Sequence, residues 1–144
     1  MKEILYATRG VSTIEYEPRV PCLIDTITEF LYSDEFREHL NNGLKLLIEK
    51  QRIHGAIGWL ANTKYLGAIP EDDTKWVIED WMVRAAQAGI RYVATVLPDD
   101  EVVRVGNDFF DGDFVVPNTN GLILKHFHNL ESACEWLQGS LIKS

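Results

Sequence analysis

Two histidines and three aspartates are spaced in ways that could serve metal chemistry. His126 and His128 lie two apart at a predicted strand end, so their side chains point the same way. A zinc site needs a third ligand, and none lies nearby in the sequence. Asp108, Asp111 and Asp113 lack the alternating oxygen ligands and the closing bidentate acid of a calcium loop. We therefore expect ordinary surface histidines, a solvated acidic loop and no metal site.

The motifs that signal catalysis or nucleotide binding are missing from the sequence. It contains no Gly-x-Gly-x-x-Gly, no phosphate-binding lysine loop and no Gly-x-Ser-x-Gly elbow. Cys22 and Cys134 lie far apart and show no spacing typical of zinc or redox chemistry, which favours free, mostly buried thiols over a disulfide. We predict that the protein is not an enzyme and carries no cofactor.

The charge of the chain bears on its partners. The formal net charge is -8, and an acidic surface repels both nucleic acid and anionic membranes. No apolar run is long enough to span a bilayer, and the N-terminus lacks the pattern of a signal peptide. We expect a cytoplasmic protein that binds no nucleic acid and does not insert into membranes.

The elements that must position these residues alternate along the chain. Apolar patterning predicts strands at 4–7, 13–17, 20–28, 56–61, 90–97 and 122–127. Apolar stripes predict helices from the N-cap Ser33 to about Gln51, from Pro70 to the C-cap Gly89, and after the cap Asn129. A short helix is predicted within 99–109, and 111–121 is predicted to be a loop.

This order predicts a single α/β domain over residues 1–144. An antiparallel hairpin or meander opens the chain. The alternation that follows implies right-handed crossovers into a largely parallel sheet covered by helices. The apolar content of 46% is enough for a core that needs no metal or disulfide.

Two tryptophans share the second predicted helix. Trp76 and Trp81 are five positions apart and would point about 140° apart on an ideal helix. Trp81 lies on the apolar stripe and is predicted to be core. Trp76 lies off the stripe, where it is either an interface anchor or a cover for the sheet edge.

The segment from Trp59 to Trp81, WLANTKYLGAIPEDDTKWVIEDW, resembles the middle of small bacterial proteins of the STAS/SpoIIAA-like superfamily. The shared features are a strand ending in a polar turn, a Leu-Gly loop, a Pro-Glu-Asp helix start and a central Trp. AAQAGIRYVATVLP and the segment from Leu130 to Leu137 are also similar. The resemblance implies a SpoIIAA-like mixed sheet of four to five strands, with an N-terminal antiparallel hairpin and helices packed mainly on one side.

The resemblance also implies a kind of function. Anti-sigma-factor antagonists of this superfamily dock to a partner kinase and are switched by phosphorylation of a serine at a helix start. Here Ile69, Pro70, Glu71 and Asp72 occupy that helix start without the usual phospho-acceptor serine, and Thr74 is the nearest hydroxyl. A phosphate among these acids would meet like charge, so the phospho-switch is not carried over.

Our leading hypothesis is a non-catalytic, STAS-like interaction or regulatory module with an unknown protein partner. Open α/β sheets bind at the carboxyl edge of their central strands. The binding residues expected there are Asn62, Thr63 and Tyr65, bordered by Trp76. Self-association as a homodimer stays open.

Two other hypotheses stay open beside it. One is a small apolar-ligand or lipid-binding protein, with the 111–121 loop as a lid over a pocket under Phe109, Phe110 and Phe114. The other is an enzyme with an unrecognised site, which requires a carboxylate or histidine of perturbed pKa in a cleft.

Overall fold

The computed structural model describes residues 2–10, 12–66, 69–98 and 113–143. Within these ranges seven strands form one mixed sheet, in the order β1-β2-β3-β4-β5-β7-β6. The strands are β1 Glu3–Thr8, β2 Ser12–Glu17, β3 Cys22–Ile27, β4 Gly58–Asn62, β5 Tyr92–Val96, β6 Phe114–Val115 and β7 Ile123–Phe127. β2 is antiparallel to its neighbours β1 and β3, the strands β3, β4, β5 and β7 are parallel, and β6 is antiparallel to β7. The α/β class and the mixed sheet are therefore confirmed, and three strands open the chain where the resemblance implies a hairpin.

The sheet has more strands than the four to five that the resemblance implies. Six of the seven lie where apolar patterning predicts them. The seventh, β6, falls within 111–121, which we predicted to be a loop. A strand of two residues is too short to show a periodicity, and its position depends on pairing of Phe114 with Leu124 and of Val115 with Ile123. The short helix predicted within 99–109 lies outside the described residues.

The helices cover both faces of the sheet. They are α1 Ser33–His54, α2 Glu71–Trp76, α3 Met82–Gln87 and α4 Leu130–Lys143, with a π-helical segment, Val77–Trp81, between α2 and α3. We call α2, the π segment and α3 together the 71–87 helix. In the π segment the Met82 N–H donates to the Val77 carbonyl, five residues earlier. None of the helices in the described ranges is long and apolar enough to cross a membrane.

The sequence predicted the capping residue correctly for α4 but not for α1. Asn129 caps α4 as predicted, because its side-chain oxygen accepts from the Ser132 N–H at 2.8 Å. Ser33 is not the cap of α1, since the helical residues begin with Ser33 itself and Tyr32 takes the cap position. The Ser33 hydroxyl instead donates to Asp73 Oδ2 at 2.7 Å, which ties α1 to the 71–87 helix.

Each face of the sheet buries its own apolar cluster because side chains alternate along a strand. One face packs against α1 and the 71–87 helix, and its central strands contribute Leu23, Trp59, Val93 and Leu124. The other packs against α4, with Ile24, Leu60, Ala94 and Leu137. Burial on both faces explains why the central strands are apolar at consecutive positions.

A pair of tryptophans sets the distance between α1 and the sheet. The ring centroids of Trp59 and Trp81 are 5.0 Å apart, and the Trp81 indole N–H donates to the Leu40 carbonyl at 2.7 Å. Trp81 is therefore core, as predicted. Gly43 of α1 lies directly against the Trp59 ring, since a Cβ there would come within 2.5 Å of Trp59 Cη2 and 2.9 Å of Ile14 Cδ1.

Gly43→Ala should destabilise the protein by about 1–3 kcal/mol, because the added methyl overlaps the Trp59 ring and forces α1 outward. Chemical denaturation monitored by tryptophan fluorescence measures the change. Gly139→Ala is the matched control, since a Cβ there meets nothing within 4 Å. It should be neutral or stabilise the helix by roughly 0.5–1 kcal/mol. Equal stability changes in the two variants would contradict the close approach at Gly43.

Candidate functional site

A cavity of about 170 Å³ lies between the sheet and the 71–87 helix. Its floor is the carboxyl-terminal half of the parallel strands. The π segment forms part of its roof through Val77, Ile78 and Trp81, and α1 contributes Phe36 and Leu40. The remaining wall residues are Asp25, Ile27, Trp59, Ala61, Thr63, Ile69, Thr74, Met82, Val93, Thr95, Leu97, Leu124 and His126.

The cavity follows from one row of the sheet. Asp25, Ala61, Thr95 and His126 are register partners on four adjacent parallel strands, so they point to the same face. The neighbouring row toward the start of the strands is filled by the large side chain of Trp59 and its partners. Ala61 offers only a methyl group at the same height, which leaves space between the floor and the roof.

Polar ties from α1 hold the roof in place. Buried Asp73 accepts from Arg37 Nε at 3.0 Å as well as from Ser33. Farther along, Arg84 donates to the Asn41 side-chain oxygen at 2.7 Å. These bonds fix both ends of the 71–87 helix against α1. Since π segments recur at functional sites, the π turn over the cavity adds to its interest as a site.

Every polar side chain that the structure describes on the wall already has a hydrogen bond within the protein. The Thr63 hydroxyl donates to the Val96 carbonyl at 2.7 Å, and the Thr74 hydroxyl donates to the Pro70 carbonyl at 3.5 Å. The other three polar wall residues are also paired. The Thr95 hydroxyl is hydrogen-bonded to His126 Nδ1, and Asp25 is hydrogen-bonded to His39. The cavity consequently presents mainly carbon surface to whatever occupies it.

The buried pair of Asp25 and His39 forms the polar end of the site. His39 Nε2 lies 2.7 Å from Asp25 Oδ1, and His39 Nδ1 lies 2.8 Å from the Thr8 hydroxyl. A neutral ring satisfies both bonds when Nε2 carries the proton and Nδ1 accepts from Thr8. The side chains of Asp25 and His39 are 1% and 0% exposed. Burial raises the pKa of Asp25, and the hydrogen bond from His39 opposes that shift.

His126 is a wall residue, not the surface histidine that we expected, and His128 beyond it is exposed. Burial lowers the pKa of His126 to about 4, because the charged ring would lose its hydration. In the described part of the chain, no three or more His, Cys, Asp or Glu side chains gather as a metal-binding group.

The four predicted binding residues are not all brought to the cavity. Thr63 lies on its wall. Asn62 is buried at the end of β4 and accepts from the Lys64 N–H at 3.3 Å, while Tyr65 is 65% exposed. Trp76 is half-buried outside the wall, between the guanidinium groups of Arg37 and Arg84, which lie 5.2 and 5.7 Å from its ring.

The pocket expected under three phenylalanines falls mostly outside the described residues and stays a prediction. Phe114 is not on the cavity wall, and Phe109 and Phe110 lie outside the described residues. The residues that the sequence reasoning missed are Asp25, Ala61 and Thr95. One feature of the sequence could have identified Asp25, because it is the single charged residue within the apolar run of β3.

Comparisons with known proteins do not identify the class of protein or of site. No family model, curated protein or solved structure matches the chain.

His126→Asn should remove part of the pH dependence of stability. In the unfolded wild-type chain His126 takes up a proton near pH 6.5, whereas in the folded protein it does so only near pH 4. The free energy of unfolding should therefore fall as the pH drops from 6.5 to 4, by about 2–3 kcal/mol at 1.36 kcal/mol per pKa unit after allowance for partial exposure.

Urea denaturation at several pH values in this window, on both proteins, measures the difference. Any other group that titrates in both proteins cancels in the comparison. If the free energy of unfolding changes with pH by the same amount in the wild-type protein and in His126→Asn, the lowered pKa of His126 is contradicted.

Proposed function

We propose that the protein binds a small, uncharged, mainly apolar molecule in the cavity between the sheet and the 71–87 helix. The observation that carries the proposal is the carbon-lined space of about 170 Å³ above Ala61. Protein interiors are packed as densely as organic crystals, and voids larger than a water molecule are few. A space of this size at the carboxyl end of parallel strands lies where open α/β sheets bind their ligands.

The volume limits the size of the ligand. An engineered apolar cavity of about 150 Å³ in another protein stays dry and binds benzene or xenon. By that comparison the present cavity suits a single ring or a short branched chain of roughly six to ten heavy atoms. A whole diacyl lipid is too large, which narrows the original small-ligand or lipid hypothesis to small molecules.

The wall also limits the charge of the ligand. Among the residues that the structure describes, it contains no lysine or arginine, and its one acid, Asp25, is already bonded to His39. Moving an ion from water into such surroundings is strongly unfavourable unless it is paired. A neutral hydrocarbon ring, by contrast, gains contacts with Trp59 and Trp81 and gives up little hydration.

Ala61→Leu should abolish binding, because its added carbons fill the space above β4. Benzene, toluene and indole serve as probes, with the thermal midpoint and the methyl resonances of wall residues as readouts. A probe at one hundred times its Kd should stabilise the wild-type protein by about 2.7 kcal/mol. Ala61→Leu should show no such shift while keeping or raising the stability of the unliganded protein.

Ala7→Leu is the matched control, since Ala7 is exposed on β1 and should leave probe binding unchanged. Ala61→Val tests the same point with a smaller side chain if the leucine overfills the site. If no probe perturbs the wild-type wall resonances, or if Ala61→Leu binds as well as the wild-type protein, the ligand proposal fails.

We also propose that the carboxyl edge serves as a docking surface of a non-catalytic, STAS-like interaction module. Phe30 and Tyr32 are 56% and 66% exposed, and their rings meet edge to face at 5.1 Å. Phe30 lines a shallow depression together with Leu66, which follows the exposed Tyr65. Exposed aromatic side chains are the commonest anchors of protein interfaces, which supports a protein partner here.

Phe30→Ala and Tyr65→Ala should each lose the partners that the wild-type protein retains after cross-linking in its native host. Ile53→Ala is the control, because Ile53 is equally exposed but lies about 30 Å away along α1. The same partners in all four samples would exclude this surface. Loss of partners in Ile53→Ala alone would place the interface elsewhere.

A further inference from the structure

The two cysteines meet on the face of the sheet opposite the cavity. Cys22 is the first residue of β3 and is fully buried, and Cys134 lies in the second turn of α4 and is half-buried. Each thiol shifts the pKa of the other, which places the two side chains next to each other. Both thiols are free, and Cys134 packs against the apolar cluster that contains Cys22.

Two contacts independent of the thiols fix the same face of α4 at this place. Gln138, one helical turn after Cys134, donates to the Arg19 carbonyl at 2.9 Å, just before β3 begins. Leu137 lies so close to Gly58 that a Cβ there would come within 2.8 Å of it. Gly58 is the register partner of Cys22, so the helix crosses the sheet where Cys22 lies.

We propose that Cys22 and Cys134 are a reversible thiol pair that closes to a disulfide when the protein meets a hydroperoxide. The pair brings together the two requirements of such a reaction, an accessible thiol that is oxidised first and a second thiol in contact with it. The site is separate from the cavity, so the proposal does not depend on the proposed ligand.

The order of attack follows from the surroundings of each sulfur. Cys134 is half-buried and can be reached from solvent, whereas Cys22 is fully buried. Contact with Cys22 lowers the pKa of Cys134 to about 7, which favours its thiolate, while contact with Cys134 and burial raise the pKa of Cys22. Cys134 is therefore the attacking thiolate and Cys22 the resolving thiol.

The chemistry is balanced with the peroxide as oxidant. The Cys134 thiol first gives its proton to water, and the thiolate attacks the peroxide. The O–O bond breaks, the sulfenic acid forms, and the departing alkoxide or hydroxide takes up that proton to become alcohol or water. The Cys22 sulfur then attacks the Cys134 sulfur, its proton joins the departing hydroxide as water, and the S–S bond forms. The two thiols lose two electrons and the peroxide gains them, and an external dithiol reverses the change.

The test treats the native full-length protein with hydrogen peroxide and follows the thiols by peptide mapping. The wild-type protein should give an intramolecular Cys22–Cys134 disulfide that dithiothreitol reverses. Cys22→Ser should give no disulfide, and its Cys134 sulfenic acid should be trapped by dimedone. Cys134→Ser should leave Cys22 unmodified at the same peroxide dose, because Cys22 is buried.

A second measurement on the wild-type protein avoids dependence on the variants. Iodoacetamide under native conditions should alkylate Cys134 at least tenfold faster than Cys22. Separate over-oxidation of the two cysteines, disulfides only between molecules, or equal alkylation rates would each overturn the proposal. So would a Cys134→Ser protein, shown by circular dichroism to be folded, whose Cys22 reacts as fast as the wild-type pair.

Discussion

The contact on which the rest of the structure depends is the tilted packing of Trp59 against Trp81, with Gly43 against the Trp59 ring. The indoles act as a spacer between the sheet and its two covering helices, and the bond from Trp81 to the Leu40 carbonyl fixes that spacer to α1. Glycine lets α1 come down onto the rings, so the layers are as close as the rings allow. One row farther along the strands, Ala61 cannot fill the same height, and the cavity is the consequence.

The polar groups near the cavity stabilise its walls and leave carbon facing inward. A buried carboxylate without a partner is strongly destabilising, and His39 provides the bond that Asp25 needs. Thr95 and His126 satisfy each other in the same row. The enzyme hypothesis required a carboxylate or a histidine of perturbed pKa in a cleft, and Asp25 and His126 both meet that requirement. Their existing bonds are why the ligand proposal stays ahead of the catalytic one.

Local patterns predicted much of the fold, and pairings distant in sequence account for what they missed. Strand periodicity and helix stripes placed most elements, and Asn129 was identified as a cap because capping is local. The π segment was not predictable, since one extra residue in a turn leaves the apolar stripe nearly unchanged. The cavity was equally hidden, because an alanine becomes a void only when its strand register and its roof are known. The proximity of Cys22 and Cys134 was hidden for the same reason, because it depends on the packing of α4 across the start of β3.

The first strand has a role beyond completing the sheet. β1 is an edge strand, and Thr8 links it by a hydrogen bond to His39. Edge strands open locally more readily than central ones, since they are paired on one side only. The Thr8 bond therefore links pairing at this edge of the sheet to the bond between His39 and Asp25. A single imidazole thus joins the outermost strand to the buried acid beside the cavity.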